Sequence, residues 1–485
     1  MKKEYLEKLE QIISPELNQI VLAISEAGGQ LILVGGAVRD LFLNIPVKDI
    51  DIEVHKLSLE KLEKVLFKFG MVSLVGKFFG VLKLHGLDVD WSIPRIDSSG
   101  RKPVVKLDPN MELKQAFARR DLTINAMGID LITKELIDPF NGFKDLQDGM
   151  LRATDKKLFK EDPLRFFRVM QFVGRFAFNP DEELNKLCRE IDLTKISKER
   201  IEEEFEKLFL KSNKPSLGID WLNQVGRLKE ILPELYDTIG VPQRADYHPE
   251  GDVFEHSKQA MDLAASLDYA NKDEKLLIVM AAMCHDLGKV VSTTINSIPF
   301  VVRSCEANVS NHESYINSEC CPIKSIGHEY TGAPLAKKLV QRITRKTDLI
   351  KKVPVLVKYH MCPGNYLRNY ASDGAYKKLA WNIHKEGGLT MYHLYQLLCA
   401  DRLGRNGLRG HPLPMPDNIC EQFLNKAKDL GILQSPEASV INGRDLEASG
   451  VKPGPAMGKL LDKAYGLQIK MGIQDKSKLL SLLKI

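Results

Sequence analysis

Two aspartates one position apart, Asp49 and Asp51, are the first residues of the chain whose spacing could support chemistry. They lie in KDIDIEV, where acidic and apolar residues alternate, which predicts a half-buried strand with both carboxylates on one face. Paired carboxylates can share divalent cations, and nucleotidyl transfer uses such cations to activate the attacking hydroxyl and steady the leaving pyrophosphate. Mg²⁺ suits this pair because it prefers oxygen ligands. An isolated acidic pair is more often simply solvated. Whether this pair binds a metal therefore has to be judged from the residues around it.

Residues near this pair could bind phosphate groups. Gly35 and Gly36 lie upstream, where glycine lets the backbone approach a phosphate, and Arg39 could grip one with two hydrogen bonds. Asp90, on a later predicted strand, could supply a third carboxylate. An ordinary strand–helix turn and a plain surface charge are the alternative interpretations of these residues.

A pair of arginines beside an acid follows in RRDLTINAM. Such a group could hold a sugar or a triphosphate, although by itself it is more often a solvated turn. The residues concerned are Arg119, Arg120, Asp121 and Asn125.

A second arginine–aspartate combination occurs in EDPLRFFRV. On a helix, Asp162, Arg165 and Arg168 step by three and would share one face. A carboxylate accepts hydrogen bonds from exocyclic amines, and a guanidinium donates to ring acceptors. Cytosine and adenine both present an amine beside an acceptor, whereas uracil and guanine do not, so such a pair could select C and A. A helix salt bridge is the alternative.

Histidines and aspartates far apart in the second half of the chain could bind a metal. A His, a His-Asp pair within AAMCHDLGKV, and a distant Asp suit a transition metal or Mg²⁺ that activates water on a phosphate ester. Any single one of these histidines is more often a packed or surface residue. The set is His256, His285, Asp286 and Asp401, and His328 and His360 could complete it.

The elements predicted around these residues change type along the chain. The first 150 residues read as mixed α and β, with strands at 31–34, 49–54, 81–84 and 87–93 and a short helix at 37–43. Residues 95–112 and the polar stretch 291–326 read as loops, and most of the chain after 160 reads as helical. Within 291–326, Cys305, Cys320, Cys321 and His312 match no standard zinc spacing.

The bulk composition narrows the class of protein. A length of 485 residues predicts about three domains. A net charge of +5 permits a nucleic-acid partner without arguing for one. The eight cysteines show no disulfide-like spacing, which favours a reducing cytoplasm. The absence of a long apolar run predicts no membrane partner.

Five motifs in a fixed order carry a resemblance to a known family: VGGAVRD at 34–40, KDIDIEV at 48–54, RRDLTINAM at 119–127, IDPFNGFKDL at 137–146 and EDPLRFFRV at 161–169. Together they resemble the motif series of class II CCA-adding tRNA nucleotidyltransferases. The resemblance implies an α+β fold, with a polymerase-β-like nucleotidyltransferase head (1–150), an all-α neck (151–225), an HD-type body (226–412) and a helical, tRNA-binding tail (413–485).

The same resemblance implies roles for individual residues. Asp49 and Asp51 would bind Mg²⁺, with Asp90 as a further catalytic carboxylate. The residues implied to bind the nucleotide are Gly35, Gly36, Arg39, Arg120, Asp121, Asp162, Arg165 and Arg168. The loop 95–112 matches one that the family associates with switching from CTP to ATP. The chain departs from the pattern at Gln171, where a third arginine is expected, and at 113–115, where acidic residues are usual.

The second half resembles the subgroup of bacterial CCA-adding enzymes that carry a fused HD domain. This implies metal-dependent hydrolysis, with Ni²⁺ or Mg²⁺, of 2′,3′-cyclic phosphates and phosphomonoesters. The tail resembles the end of the same enzymes, and its lysines could meet tRNA phosphates. These lysines are Lys452, Lys459, Lys463 and Lys470.

The sequence therefore predicts an enzyme that adds CCA to tRNA from CTP and ATP, holding the 3′ end and acceptor stem by shape and backbone. A poly(A) polymerase and a CC-only or A-only adder are alternatives within the same enzyme class. An HD phosphohydrolase whose head serves only as an RNA-binding module is the alternative from another class.

Overall fold

The computed structural model describes residues 3–75, 80–97, 105–295, 298–300, 323–405 and 418–483. The chain consists of two compact units, Met1–Ile196 and Ser197–Ile485.

The amino-terminal unit is built from a mixed sheet and short helices. Its strands are β1 Gln30–Val34, β2 Ile50–His55, β3 Val72–Val75, β4 Val81–Leu84, β5 Val89–Ser92, β6 Arg95–Asp97, β7 Val105–Leu107, β8 Gly128–Asp130, β9 Leu136–Ile137, β10 Met150–Leu151 and β11 Asn179–Pro180. Its helices are α1 Lys3–Ile12, α2 Pro15–Glu26, α3 Gly36–Phe42, α4 Leu59–Leu66, α5 Leu113–Ala118, α6 Gly142–Asp148, α7 Lys156–Glu161, α8 Leu164–Phe176 and α9 Glu182–Glu190, with 3₁₀ turns at Thr123–Asn125 and Leu193–Lys195.

Seven strands form the main sheet in the order β3-β4-β5-β2-β1-β8-β9. The apolar run of β1 is buried along nearly its whole length, which fits a strand covered on both faces. β1 pairs antiparallel with β2 and with β8, whereas β2 pairs parallel with β5. In this parallel register Asp51 lies opposite Asp90. The strands and the short helix predicted in the first 93 residues are confirmed, with bounds shifted by one or two residues.

The prediction that 95–112 is a loop is wrong for 95–97 and 105–107, whereas 108–112 is irregular as predicted. Arg95–Asp97 and Val105–Leu107 pair as antiparallel strands, and α5 begins at Leu113. The Pro, Gly and Ser residues that suggested a loop fall mostly at 98–104, which lies outside the described residues.

The carboxy-terminal unit is almost entirely helical. Its helices are α10 Lys198–Lys211, α11 Ser216–Gln224, α12 Leu228–Ile231, α13 Pro233–Tyr236, α14 Val253–Ser266, α15 Lys272–Cys284, α16 Lys289–Ser292, α17 His328–Ile343, α18 Thr347–Tyr359, α19 Cys362–Arg368, α20 Asp373–Gly387, α21 Met391–Leu403, α22 Ile419–Asp429, α23 Gly443–Ala448, α24 Pro455–Met471 and α25 Lys476–Leu483. A small sheet of β12 Thr293–Ile295, β13 Ile298–Pro299 and β14 Ile323–Ser325 interrupts them.

The core of this unit forms around α15. Every residue of α15 from Leu276 to Cys284 is buried, and the helix packs against α14, α18 and α21. Asn271 precedes α15, and its side chain accepts hydrogen bonds from the amides of Asp273 and Glu274 and so caps the helix. Because the stretch from Leu276 to Cys284 is apolar on all sides, α15 is a central helix. The ends of the surrounding helices meet where α15 ends.

The segment 291–326 is only partly a loop. Residues predicted to be irregular form β12, β13 and β14, and the β-branched Thr and Ile residues among them suit strands. Cys305, His312, Cys320 and Cys321 lie outside the described residues, and the cysteines inside them are all free. In the parts of the chain that the structure describes, no helix is both long and apolar enough to cross a membrane.

Candidate active sites

Three carboxylates come together at the start of β2. Asp51 lies opposite Asp90 on the adjacent strand, and Asp49 precedes β2 by one residue. Lys83 on β4 forms an ion pair with Asp90, with 2.9 Å between Nζ and Oδ1. Desolvation raises the pKa of the Asp51 carboxyl, and the charges of Asp90 and Asp49 raise it further, against the opposing charge of Arg120. A group of oxygen donors that repel one another in this way fits a divalent cation, which would relieve the repulsion.

The turn before α3 contains glycine, and the Arg120 guanidinium lies where a side chain at Gly35 would be. Gly35 has a φ of 70°, and a Cβ added there would lie 2.7 Å from Nη1 of Arg120. A side chain at this position would therefore be strained and would displace Arg120. Gly36 begins α3, with the Arg39 guanidinium close beside it.

Arg39 lies inside the unit and not at its surface. It is 5% exposed, and it donates hydrogen bonds to Asp40 and to Oδ1 of Asn125. Its guanidinium also lies over the rings of Phe172 and Phe176, at 5.2 and 5.0 Å. These contacts pack α3 against α8, and direct binding of phosphate by Arg39 stays a prediction.

Asp121 is a buried anchor for two other polar residues. Its carboxylate accepts hydrogen bonds from Nε of Arg168 at 2.5 Å and from Nδ2 of Asn125 at 2.8 Å. Burial opposes ionisation of Asp121, but the charge of Arg168 and these hydrogen bonds outweigh it and hold the pKa at about 2. Asp121 therefore orients Arg168 from within the unit.

The prediction that Asp162, Arg165 and Arg168 share one helical face is wrong for Asp162. Asp162 ends α7 in an extended conformation, and α8 begins only after Pro163. A residue before proline is disfavoured in the α region, which explains the break. The Asp162 carboxylate accepts a hydrogen bond from the Leu164 amide at 3.2 Å, whereas Arg165 lies on α8 and donates to the carbonyl of Arg119.

Gln171, which stands where the resemblance expects a third arginine, lies on α8 and is 2% exposed. Its amide therefore faces the interior of the unit.

The carboxy-terminal unit brings together all the histidines and aspartates selected from its sequence. They lie within or just after five helices, α15 and the four that surround it, and form two groups whose ligand atoms lie within 4.8 Å of one another. The first group is His256, His285 and Asp401, and the second is Asp286, His328 and His360.

Asp286 faces both groups. Its Oδ2 lies 3.3 Å from Nε2 of His285 and 3.6 Å from Nε2 of His256. Its Oδ1 lies 3.1 Å from Nε2 of His328 and 3.7 Å from Nε2 of His360. A carboxylate between two ligand groups is the arrangement expected of two metal ions that share a ligand.

The histidine rings are oriented so that Nε2 is free to bind a metal. Nδ1 of His285, His328 and His360 each contacts a backbone carbonyl at 2.6 to 2.7 Å, and Nδ1 of His256 faces the Glu250 carboxylate at 2.7 Å. These partners favour the proton on Nδ1 and leave the Nε2 lone pair toward the centre, where pairs of Nε2 atoms approach to 3.0 and 3.1 Å. The donor set therefore fits divalent metal.

A cavity of about 220 Å³ opens onto these ligands. Four cationic side chains line it, and two of them already pair with the ligands: Lys289 with Asp286 at 2.6 Å and Arg405 with Asp401 at 2.9 Å. Positive charge beside a metal site favours an anionic ligand such as a phosphate ester.

Two buried acids beside the sites were missed from the sequence. Glu53 follows Asp51 by two residues on β2, and Glu250 lies between His248 and His256. Glu53 could have been found from the alternation of DIDIEV. Glu250 offered only its closeness in sequence to His248.

The mixed-sheet head and the helical region with the metal site each match a known protein family. A family model described as the poly A polymerase head domain matches residues 31–152. One described as a probable RNA and SrmB-binding site of polymerase A matches 178–238, and the HD domain matches 253–378. The carboxylate cluster thus falls within the first match, and the metal-site residues other than Asp401 fall within the third.

A multifunctional CCA protein from Xanthomonas axonopodis pv. citri is 30% identical over 462 residues, which cover 90% of this chain and 97% of that protein. The chain therefore belongs to the multifunctional CCA protein family. Relatives of the same description from Mannheimia succiniciproducens and Neisseria meningitidis serogroup C are each 37% identical over 54% of this chain. In these two alignments the chain spans 64% and 61% of the relative's length.

Solved structures support the same fold. The Thermotoga maritima CCA-adding enzyme complexed with tRNA has a TM-score of 0.57 at 20% identity, covering 100% of this chain and 99% of that chain. The Bacillus stearothermophilus CCA-adding enzyme in complex with CTP has a TM-score of 0.60 at 18% identity, covering 97% of each chain. The predicted α+β class, with a mixed-sheet head followed by a helical HD region, is confirmed.

Proposed function

We propose that this chain adds CCA to the 3′ end of tRNA from CTP and ATP without a nucleic-acid template. The observation that carries the proposal is the register of Asp51 opposite Asp90, with Asp49 close by, beside the Gly35 turn and Arg120. Asp49 and Asp51 would hold Mg²⁺, which supplies Lewis acidity toward the attacking hydroxyl and the leaving pyrophosphate. Family membership and the carboxylate cluster support the same reaction.

The residues of the chain have separate tasks in this proposal. The Gly35–Gly36 turn gives the triphosphate access to backbone, and Arg120 neutralises its charge. Arg165 and Arg168, with Asp162 before them, face the base and favour C and A. The tRNA 3′ hydroxyl then attacks the α-phosphate and pyrophosphate leaves.

A nucleotide-addition assay with the purified full chain tests this function. A tRNA that lacks CCA is offered CTP, ATP, GTP and UTP singly and together with Mg²⁺, and the ends are sequenced. Addition that stops at CCA supports the proposal. A long A tail would instead indicate a poly(A) polymerase, and arrest at CC or addition of A alone would indicate a partial adder.

We also propose a metal-dependent phosphohydrolase in the carboxy-terminal unit, acting on 2′,3′-cyclic phosphates and phosphomonoesters. The sharing of Asp286 between two ligand groups, beside a cationic cavity, favours this second activity. His256, His285, Asp286 and Asp401, joined by His328 and His360, would hold Ni²⁺ or Mg²⁺, which lowers the pKa of bound water. Removal of metal by EDTA followed by addition of each cation, with phosphate release as the readout, tests both the activity and the metal.

The tail is proposed to bind the tRNA backbone. Lys459, Lys463 and Lys470 are exposed and lie on one face of α24, where they suit a row of phosphates. The division into head, neck, body and tail, and a cytoplasmic location expected from the scattered cysteines, belong to the same proposal.

A further inference from the structure

Glu53 shares a strand face with Asp51 but has a different environment. Side chains two residues apart on a strand point the same way, so DIDIEV by itself suggests a third metal-binding carboxylate. Only 1% of the Glu53 surface is exposed, whereas Asp51 lies at the surface of the unit. Its Oε1 lies 3.1 Å from Nε2 of His55, and its Oε2 accepts a hydrogen bond from Arg119 at 2.8 Å. Both oxygens are engaged, so Glu53 is not a free metal ligand.

The same carboxylate faces a second guanidinium. Nη2 of Arg120 lies 3.9 Å from Oε2 of Glu53, so two arginines share one acid. A carboxylate at this position offsets the repulsion between the two neighbouring guanidinium groups.

Arg120 links this buried acid to the nucleotide site. Its Nη1 lies where a side chain at Gly35 would be, and its charge acts on the Asp51 carboxyl. Arg120 is thus placed between the glycine turn and the carboxylate cluster, at the position where a triphosphate would lie. Without Glu53, the two guanidinium groups would repel each other and Arg120 would lose its anchor.

We propose that Glu53 is a positioning residue for nucleoside triphosphates, and that it acts by holding Arg120 toward the triphosphate while Arg119 shares its charge. This inference rests on the proposed nucleotide addition and concerns the phosphates, not the base. Its consequence is that Glu53 affects the binding of every nucleoside triphosphate to the same extent.

The test compares Glu53→Gln with the wild-type full chain. We expect the KM of both CTP and ATP in tRNA-dependent addition to rise about tenfold, with kcat changed less than threefold and the preference for CTP over UTP unchanged. Glu60→Gln, which removes an exposed glutamate from α4, is the matched control and should leave both constants as they are. A general loss of structure would lower the fraction of active enzyme and kcat without this selective change in KM.

A double variant distinguishes a role of Glu53 in positioning Arg120 from a simple loss of the Glu53 carboxylate. If repulsion displaces Arg120 in Glu53→Gln, then Arg119→Gln in the same chain removes one cation and should recover at least threefold in KM. No recovery, an unchanged KM, or an altered choice of base would overturn the proposal. If Glu53→Gln fails to fold, Glu53→Asp keeps the charge but shortens its reach, and an unchanged KM in that variant would also overturn it. A wild-type chain that adds no nucleotide contradicts the proposed function instead, and direct CTP binding to the wild type and Glu53→Gln still tests the role of Glu53.

Discussion

At the residue scale, Glu250 shows how a side chain outside the metal ligands can control them. Its Oε1 lies 2.7 Å from Nδ1 of His256 and 3.0 Å from Nδ1 of His248, in a fully buried position. Glu250→Gln should weaken binding of divalent metal in the HD region by about 10- to 100-fold, because the orientation of His256 is no longer fixed. Calorimetric titration of the metal-free chain measures this, with Glu203→Gln, which removes an exposed glutamate from α10, as the control. Equal affinities would show that His256 needs no partner at Nδ1.

Asp121 gives a prediction that depends on pH. Its folded pKa of about 2 lies below its ordinary value of 3.8, so the stabilisation is present above about pH 4 and is lost as pH falls toward 2. Asp121→Asn should lower the free energy of unfolding by about 2 kcal/mol at pH 7, and the difference should shrink below pH 4. Urea unfolding followed by Trp91 fluorescence, with Trp221 and Trp381 replaced by Phe, reports on the amino-terminal unit. A difference that stays constant down to pH 2 would contradict the ion pair with Arg168.

Sequence spacing predicted which single residues lie close together, but not which partners they contact. Asp51 lies in β2, as the alternation in DIDIEV predicts, and Asp49 lies just before this strand. The same alternation also pointed to Glu53, but the contacts of Glu53 with Arg119 and of Glu250 with His256 are set by tertiary packing. The spacing predicts Asp162 on a helix, although Pro163 disfavours the helical conformation for the residue that precedes it.

At the element scale, Gly288 allows α16 and α17 to approach closely. A Cβ there would lie 2.0 Å from the carbonyl oxygen of His328 and 2.5 Å from the amide of Gly332. Gly288→Ala should push the start of α17 away and separate His328 from Asp286. We expect at least a tenfold loss of metal affinity in the HD region and loss of phosphate release, with nucleotide addition retained. Gly466→Ala, on α24 with open space around it, is the control, and matching metal affinities in the two variants would count against this contact.

Helices and strands whose sequences show strong hydrophobic periodicity were predictable. Strands that form only by pairing with a neighbouring strand were not. The run LILV indicated β1, and the helical pattern after 160 indicated α8, α9 and the helices of the second unit. β6 and β7 were missed because three residues of weak strand character become a strand only when a partner lies beside them. The same reason applies to β12–β14.

At the scale of the whole molecule, a substitution that inactivates one site should leave the other site active. Asp51→Ala should reduce CCA addition by at least 1,000-fold and leave phosphate release intact, because it removes a carboxylate from the head alone. His285→Ala should do the reverse. Both activities are measured on the same preparations, so each serves as the folding control for the other. Near-normal addition by Asp51→Ala would refute the proposed metal site.

The order of the five motifs predicted the family and the fold class, which composition could not do. A charge of +5 is compatible with many partners, and RRD or DxD alone occurs in many solvated turns. Five motifs in sequence over about 150 residues restrict the fold far more strongly than any one of them. What they could not predict is the register that sets Asp51 opposite Asp90.

The position of β2 within the sheet has a mechanical consequence. Three strands lie on either side of it, with β3 and β9 at the margins. Thermal opening of a sheet begins at its outermost strands, where fewer hydrogen bonds hold the backbone. Loss of order at β3 or β9 should therefore leave the distance between the two facing aspartates unchanged.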